Sequence, residues 1–372
     1  MPAPPGPPAG VVQSIQVLRG LAALSVVLCH AIGRAGDALE TAAVGVDVFF
    51  VISGFIMWTI TASGTASGSA SGPVTPGHFL LDRLTRIAPP YVLLTFAVFL
   101  LATLVPAAFP NMRTNLSHAL LSALFVPHLS PLGTEYPQIA PGWTLNIELF
   151  FYALVALTLG AAPRWRLGLL AGVLSVFALV GMATVARPDA TGGVAFGAYT
   201  SPLLLEFVAG LLLGVLWERR ALPRAAIGGA MVAAGIGALV AWGVFLDTLP
   251  LDARPLVWGV PAALVVGGAL AIERDAGARG GMRAPRGLMR LGDASYALYL
   301  THILTVGAAW RLAGGLPLPL YLLVAVTLSV LVALAFRRVV EAPLTRAVRR
   351  AVHRAVPPAL GPRAAGPAPA PR

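Results

Sequence analysis

Charge is what this chain has least of. Only 11% of its 372 residues are charged, against about 25% in a water-soluble protein. A soluble globular domain is excluded on that ground. Lysine is missing altogether: all 26 basic side chains are arginine, a bias that GC-rich coding sequence produces. Cys29 is the sole cysteine, so no intrachain disulfide forms and no cysteine-based metal site exists. No HExxH, P-loop or GxSxG string occurs, which leaves the usual metalloprotease, nucleotide-binding and serine-hydrolase signatures without support. No internal repeat and no separate soluble domain is visible. The opening MPAPPGPPAG lacks the positive n-region of a secretory signal.

Apolar runs fill the space that charge leaves. Hydrophobic residues make up 57% of the chain, in stretches near the roughly 20 residues that a spanning helix needs. Candidate spans lie at 15–34, 44–62, 87–106, 142–162, 167–186, 200–217, 225–246, 255–272, 293–313 and 316–336. The segment 116–130, with His118, Pro127 and His128, is too short to cross comfortably and reads as re-entrant or interfacial. The expected fold is an all-α polytopic helical bundle of about ten spans plus that segment. Residues 1–12 form a proline-rich disordered tail, 13–346 the membrane domain, and 347–372 a basic, then Pro/Ala-rich tail. A Gly/Ser/Ala linker, TASGTASGSASGPVTPG, joins the second and third spans.

The net charge of +11 invites a nucleic-acid reading, which the placement of the arginines rejects. They cluster between apolar runs. With the N-terminus inside and ten spans, 21 arginines fall inside and 5 outside. Letting 116–130 cross would collapse that bias. The positive-inside rule therefore puts both termini in the cytoplasm.

Ionisable groups in lipid are costly and usually mark function. Arg19 and His30 lie eleven residues apart in the first span, about three turns, and so share one face. Arg19 reads either as a snorkelling anchor or as a ligand group. His30 reads as an interhelical hydrogen-bonding group or as a proton-transfer residue. Asp47 opens the second span, where it caps a helix or serves the site; Ser53 and Gly54 read mainly as packing. Arg83 and Arg86 share a face at i, i+3, as a positive-inside flank or a phosphate-binding pair. Glu148 and Tyr152 share a face at i, i+4, and Ser295, Tyr299 and His302 form a polar stripe on one helix. Glu341 reads as a surface partner of a neighbouring arginine. Together these residues describe a polar site inside the bundle, open to a phosphate-bearing cytoplasmic ligand.

These strings resemble the membrane acyltransferase-3 family, whose members O-acylate bacterial surface sugars, peptidoglycan-related glycans and some antibiotics. The resemblance runs over about residues 13–346. LRGLAALSVVLCH is similar to the family's first helix, GVDVFFVISGF to its second, and RLTRIAPPY to its RxxR element. WTLNIELFFY resembles the family's Glu-bearing helix, although Asn146 stands where valine is common. SYALYLTH and RRVVEAPL resemble the late elements. The resemblance implies an O-acyltransferase in the bacterial cytoplasmic membrane that moves an acyl group, by default acetyl, onto a glycan or glycoside hydroxyl. No cofactor is expected to be permanently bound; acyl-CoA is the co-substrate. Arg83, Arg86 and Arg19 are expected along the CoA path. Tyr152, Ser295, Tyr299 and His302 are expected to line the substrate path. His30 is the expected catalytic base or transient acyl carrier, oriented by Glu148 or Asp47 as a carboxylate orients histidine in a triad. The expected partners are the lipid bilayer, acyl-CoA and the acceptor. The SGNH-type domain that some members carry is not seen, so a separate extracytoplasmic partner protein or a membrane-delivered acceptor is expected. A transporter, a purely structural bundle and a glycosyltransferase are the rival readings.

Overall fold

A computed structural model describes residues 12–36, 44–62, 75–109, 112, 114–184, 193–245, 253–277, 281 and 283–355. The expected N-terminal tail, most of the linker, the Pro/Ala-rich end and Arg113, Arg187, Arg279, Arg363 and Arg372 of the arginine count lie outside them. The described residues are helical, with no strand among them.

Every expected span is a helix. The order is α1 (Gln13–Arg34), α2 (Gly45–Ala62), α3 (Pro76–Leu104), α4 (Leu116–Ala123), α5 (Gly142–Thr158), α6 (Pro163–Thr184) and α7 (Gly193–Tyr199). There follow α8 (Leu204–Glu218), α9 (Ala225–Phe245), α10 (Val260–Gly277), α11 (Arg286–Asp293), α12 (Ser295–Ala313), α13 (Leu318–Phe336) and α14 (Ala342–Ala355). Eight helical stretches among the described residues are long and apolar enough to cross a membrane. The remaining two expected spans are α5, apolar but 17 residues long, and α12, whose tyrosines, threonines and histidine lower its hydropathy. The protein is a multi-pass all-α membrane bundle. The eight residues of α4 extend roughly 12 Å, far short of a bilayer core of about 30 Å.

One boundary differs from the sequence reading. Hydropathy starts the third span at 87, yet α3 begins at Pro76, with Thr75 as N-cap and Pro76 in the first turn. Arg83 and Arg86 are therefore well inside a helix, not at its start. The helix runs through Pro89 and Pro90. Each proline removes an intrahelical donor. Close by, the Tyr296 hydroxyl donates to the Ile87 carbonyl at 2.7 Å, tying this stretch to α12.

Contacts at the helix ends sort the bundle into two faces. On the first, the Gln13 and Ser14 amides donate to Glu273 at 2.7 and 2.8 Å. Trp58 Nε1 donates to Glu218 at 2.9 Å, Arg166 donates to the Thr61 carbonyl at 2.9 Å, and Arg349 on α14 pairs with Asp82. The opposite face carries the C-terminus of α1, the start of α2 and the segment 114–141.

Small residues set the tightest crossings. A Cβ built on Gly54 of α2 would sit 2.2 Å from the Phe207 carbonyl oxygen of α8, and one on Gly210 would sit 2.1 Å from the Val51 oxygen. Backbone touches backbone there, as in small-residue membrane crossings. Gly210→Ala is expected to push α2 and α8 apart at a cost of about 2 kcal/mol. A lowered unfolding midpoint in detergent, read by tryptophan fluorescence, is the expected result; an unchanged midpoint would mean that the crossing relaxes freely.

Candidate active site

Five helices, α1, α2, α3, α5 and α12, enclose a cleft with about 800 Å³ of empty space. Seven residues singled out from the sequence line it: Arg19, Arg83, Arg86, Glu148, Tyr152, Ser295 and Tyr299. Helical periodicity explains the convergence, because the i, i+3 and i, i+4 pairs each turn one face to the same space. The α2 wall runs from Val46 to Met57, roughly 16 Å along the helix axis.

The cleft is polar at one end and mostly apolar along its length. Arg83 lies 3.2 Å from Asp82, but Asp82 also serves Arg349. Arg83 Nε is buried with no partner among the described residues. Glu148 Oε1 accepts from Ser53 Oγ at 3.0 Å and from the Tyr152 hydroxyl. Three guanidiniums thus face one carboxylate within the lining. That excess of positive charge favours an anion, and guanidinium geometry favours phosphate. At the deeper end, Thr144 Oγ1 and the Tyr299 hydroxyl are 2.8 Å apart, and Phe49 meets Tyr299 edge-on with ring centroids at 5.9 Å.

His30 and His302 lie just beyond. Their ring centroids are 5.0 Å apart, and the His302 ring is 5.7 Å from that of Tyr299. His302 Nδ1 lies 2.6 Å from the Tyr299 carbonyl, so Nδ1 carries the proton. Its Nε2 is left as an acceptor, buried and without a partner. His302 is fully buried, whereas His30 is exposed.

The expected carboxylate for His30 is not there. Among the described residues no hydrogen bond or ion pair joins His30 to Glu148 or Asp47; Glu148 is held by hydroxyls. Asp47 is fully buried in a two-bond pair with Arg254, at 3.0 and 2.9 Å. Trp258 covers that guanidinium at 4.6 Å, and Glu206, buried with neither oxygen bonded, completes the cluster. The neighbour that α1 does receive is His302, from a helix some 270 residues away. Glu341, expected against an arginine, has none within ion-pair distance among the described residues. Arg337 pairs with Asp293 instead, at 3.3 Å. Sequence reasoning missed Thr144 and Tyr296 as lining residues and took Ser53 for packing. Only the side-chain hydroxyls themselves signalled them.

A profile described as an acyltransferase domain matches residues 12–338. The chain belongs to the acyltransferase-3 family. It is accordingly an O-acyltransferase. Among relatives, it is 38% identical over 322 residues to the exopolysaccharide production protein ExoZ of Rhizobium meliloti (strain 1021), covering 86% of this chain and 94% of that protein. It is 28% identical over 334 residues to the acyltransferase MdmB of Streptomyces mycarofaciens, covering 81% of each. No solved structure matches it. In this acyltransferase, removing Arg254 would strand the buried Asp47 carboxylate. Arg254→Ala is expected to cost about 3–5 kcal/mol, read as a lowered thermal midpoint. Unchanged stability with lost activity would instead place Asp47 in the chemistry.

Proposed function

We propose that this acyltransferase moves an acyl group, acetyl by default, from cytoplasmic acyl-CoA to a hydroxyl of a glycan or glycosylated acceptor. The observation that carries the reading is the cleft itself: arginines at one end, an apolar wall along α2, and the tyrosine–histidine group Tyr299, His302 and His30 at the other. The positive-inside bias argues that the arginine-rich face is cytoplasmic, in a bacterial inner membrane with both termini inside. The names of the relatives argue for a polysaccharide or similar acceptor.

On this reading the phosphates of CoA sit against Arg83 and Arg86, with Arg19 further along the path. The pantetheine arm lies along Phe50, Ile52 and Ile56. Its thioester reaches the His30–His302 pair roughly 16 Å from Arg19 along α1. On substrate binding, His302 Nε2, fixed as an acceptor by the Tyr299 carbonyl and unbonded before it, takes a hydrogen bond from one nitrogen of His30 and leaves the other basic. That nitrogen removes the acceptor hydroxyl proton. The alkoxide attacks the thioester carbonyl, the C–O bond forms, the C–S bond breaks, and the proton passes to the departing CoA sulfur. Histidine thus plays the orienting role that a carboxylate plays in a triad.

Two measurements test this. His30→Ala in nanodiscs is expected to lower acceptor-stimulated CoA release from acetyl-CoA by about 10²–10⁴-fold, with normal membrane insertion. Retained turnover would remove His30 from the chemistry. Arg83→Ala and Arg86→Ala are expected to raise the KM for acyl-CoA more than that for the acceptor. Equal effects on both would argue against a phosphate role.

A further inference from the structure

A second cavity opens on the opposite face, apart from the cleft. It has about 840 Å³ of empty space, part of it open to solvent, between Met112 with the 118–140 stretch and the Leu300–Leu304 turn of α12. Leu300, Ile303 and Leu304 form an apolar wall; His118, Ser130, Thr134 and Gln138 supply the polar one. Tyr136, 54% exposed, stands at the rim.

Hydrogen bonding fixes what the polar wall presents. His128 Nδ1 lies 2.7 Å from the Val126 carbonyl, so that nitrogen carries a proton. In the neutral ring His128 Nε2 is then an acceptor, and His118 Nδ1, 2.7 Å away, donates to it. His118 Nε2 is left with a lone pair. Burial, and the neighbouring His128, hold the His118 imidazole below its ordinary value, so it is neutral at pH 7. Gln138 is buried and, among the described residues, its Oε1 has no partner and its Nε2 meets the Met112 sulfur at 3.9 Å. The Ser130 and Thr134 hydroxyls are 2.7 Å apart.

The wall therefore offers two acceptors, the buried and unpartnered Gln138 Oε1 and the His118 Nε2 lone pair, beside two hydroxyls. Among the described residues no arginine lines the cavity. Among the described residues no third metal-ligating side chain joins the histidines. A ligand that donates several hydroxyls from one side and presents apolar C–H groups on the other satisfies all of these surfaces. Pyranose sugars have that chemistry.

We propose that this cavity is a carbohydrate subsite holding one pyranose unit of the acceptor. Gln138 Oε1 and His118 Nε2 accept from its hydroxyls, and the Tyr136 ring covers its apolar face. The inference rests on the glycan-acceptor reading above. It adds where the saccharide sits: Leu300 and Ile303 flank His302 in sequence, so a sugar held here borders the helix that carries one member of the histidine pair.

The test titrates the full chain in nanodiscs with methyl glucoside, methyl galactoside and methyl mannoside, followed by saturation-transfer NMR. Wild type is expected to bind at least one. Gln138→Leu and Tyr136→Ala are each expected to weaken that binding by about tenfold, and Arg83→Ala to leave it unchanged. Tyr136 is exposed enough that its replacement keeps the fold, and in Gln138→Leu the backbone N–H of position 138 still donates to Ser122 Oγ, at 2.9 Å in the wild type. Undiminished binding in both variants overturns the subsite, as does wild type that releases CoA but binds none of the glycosides. Glycoside binding that both variants lose, without CoA release from acetyl-CoA, supports the subsite and overturns only the donor reading.

Discussion

A polar group inside a bilayer has no water to turn to, so it must find its partner within the protein. That constraint organises this structure. Asp47 is answered by Arg254, Glu148 by Ser53 and Tyr152, and Thr144 by Tyr299. Once these are paired, the buried groups still unanswered include Arg83 Nε, in the cleft lining, and His302 Nε2, just beyond its deep end. An unanswered buried donor or acceptor is costly; on the proposed reading a CoA phosphate completes the first and His30 the second.

Helix α2 shows how packing and site are built from adjacent residues. Gly54 presses its backbone against α8, while Ser53, one residue earlier, donates to Glu148 on α5. One side of the helix is clamped by the absence of a side chain; another is tuned by a hydroxyl. Phe49 packs against all three apolar clusters of the core and also lines the cleft. The wall of the cleft is therefore continuous with the core behind it.

Two histidine pairs occupy this protein, and each is oriented by a backbone carbonyl. In one, the Tyr299 carbonyl fixes His302 beneath His30. In the other, the Val126 carbonyl fixes His128, which in turn fixes His118. A carbonyl sets the tautomer without adding a charge to be buried, which suits a bundle with few charges to spare. The two cavities line successive stretches of the same helix, α12: Ser295, Tyr296 and Tyr299 face the cleft, and Leu300, Ile303 and Leu304 the second cavity.

The sequence by itself determined the helical membrane bundle, the positions of its spans, the short segment that does not cross, and most of the cleft. Those features follow from hydropathy length and from i, i+3 and i, i+4 spacing, which are local. Arg83 with Arg86, Glu148 with Tyr152, and Ser295 with Tyr299 could each be placed on one face without knowing any neighbour. What only the tertiary structure decided are the partnerships between helices. Asp47 meets Arg254 rather than His30, and His30 meets His302 rather than a carboxylate. The start of α3, by contrast, was local: it followed the Thr75–Pro76 cap, which hydropathy does not read. The physical reason is common to these interhelical pairs: periodicity says which way a side chain points along its own helix, but which helix stands opposite is set by close crossings such as Gly54 on Gly210, and those depend on residues far apart in the sequence.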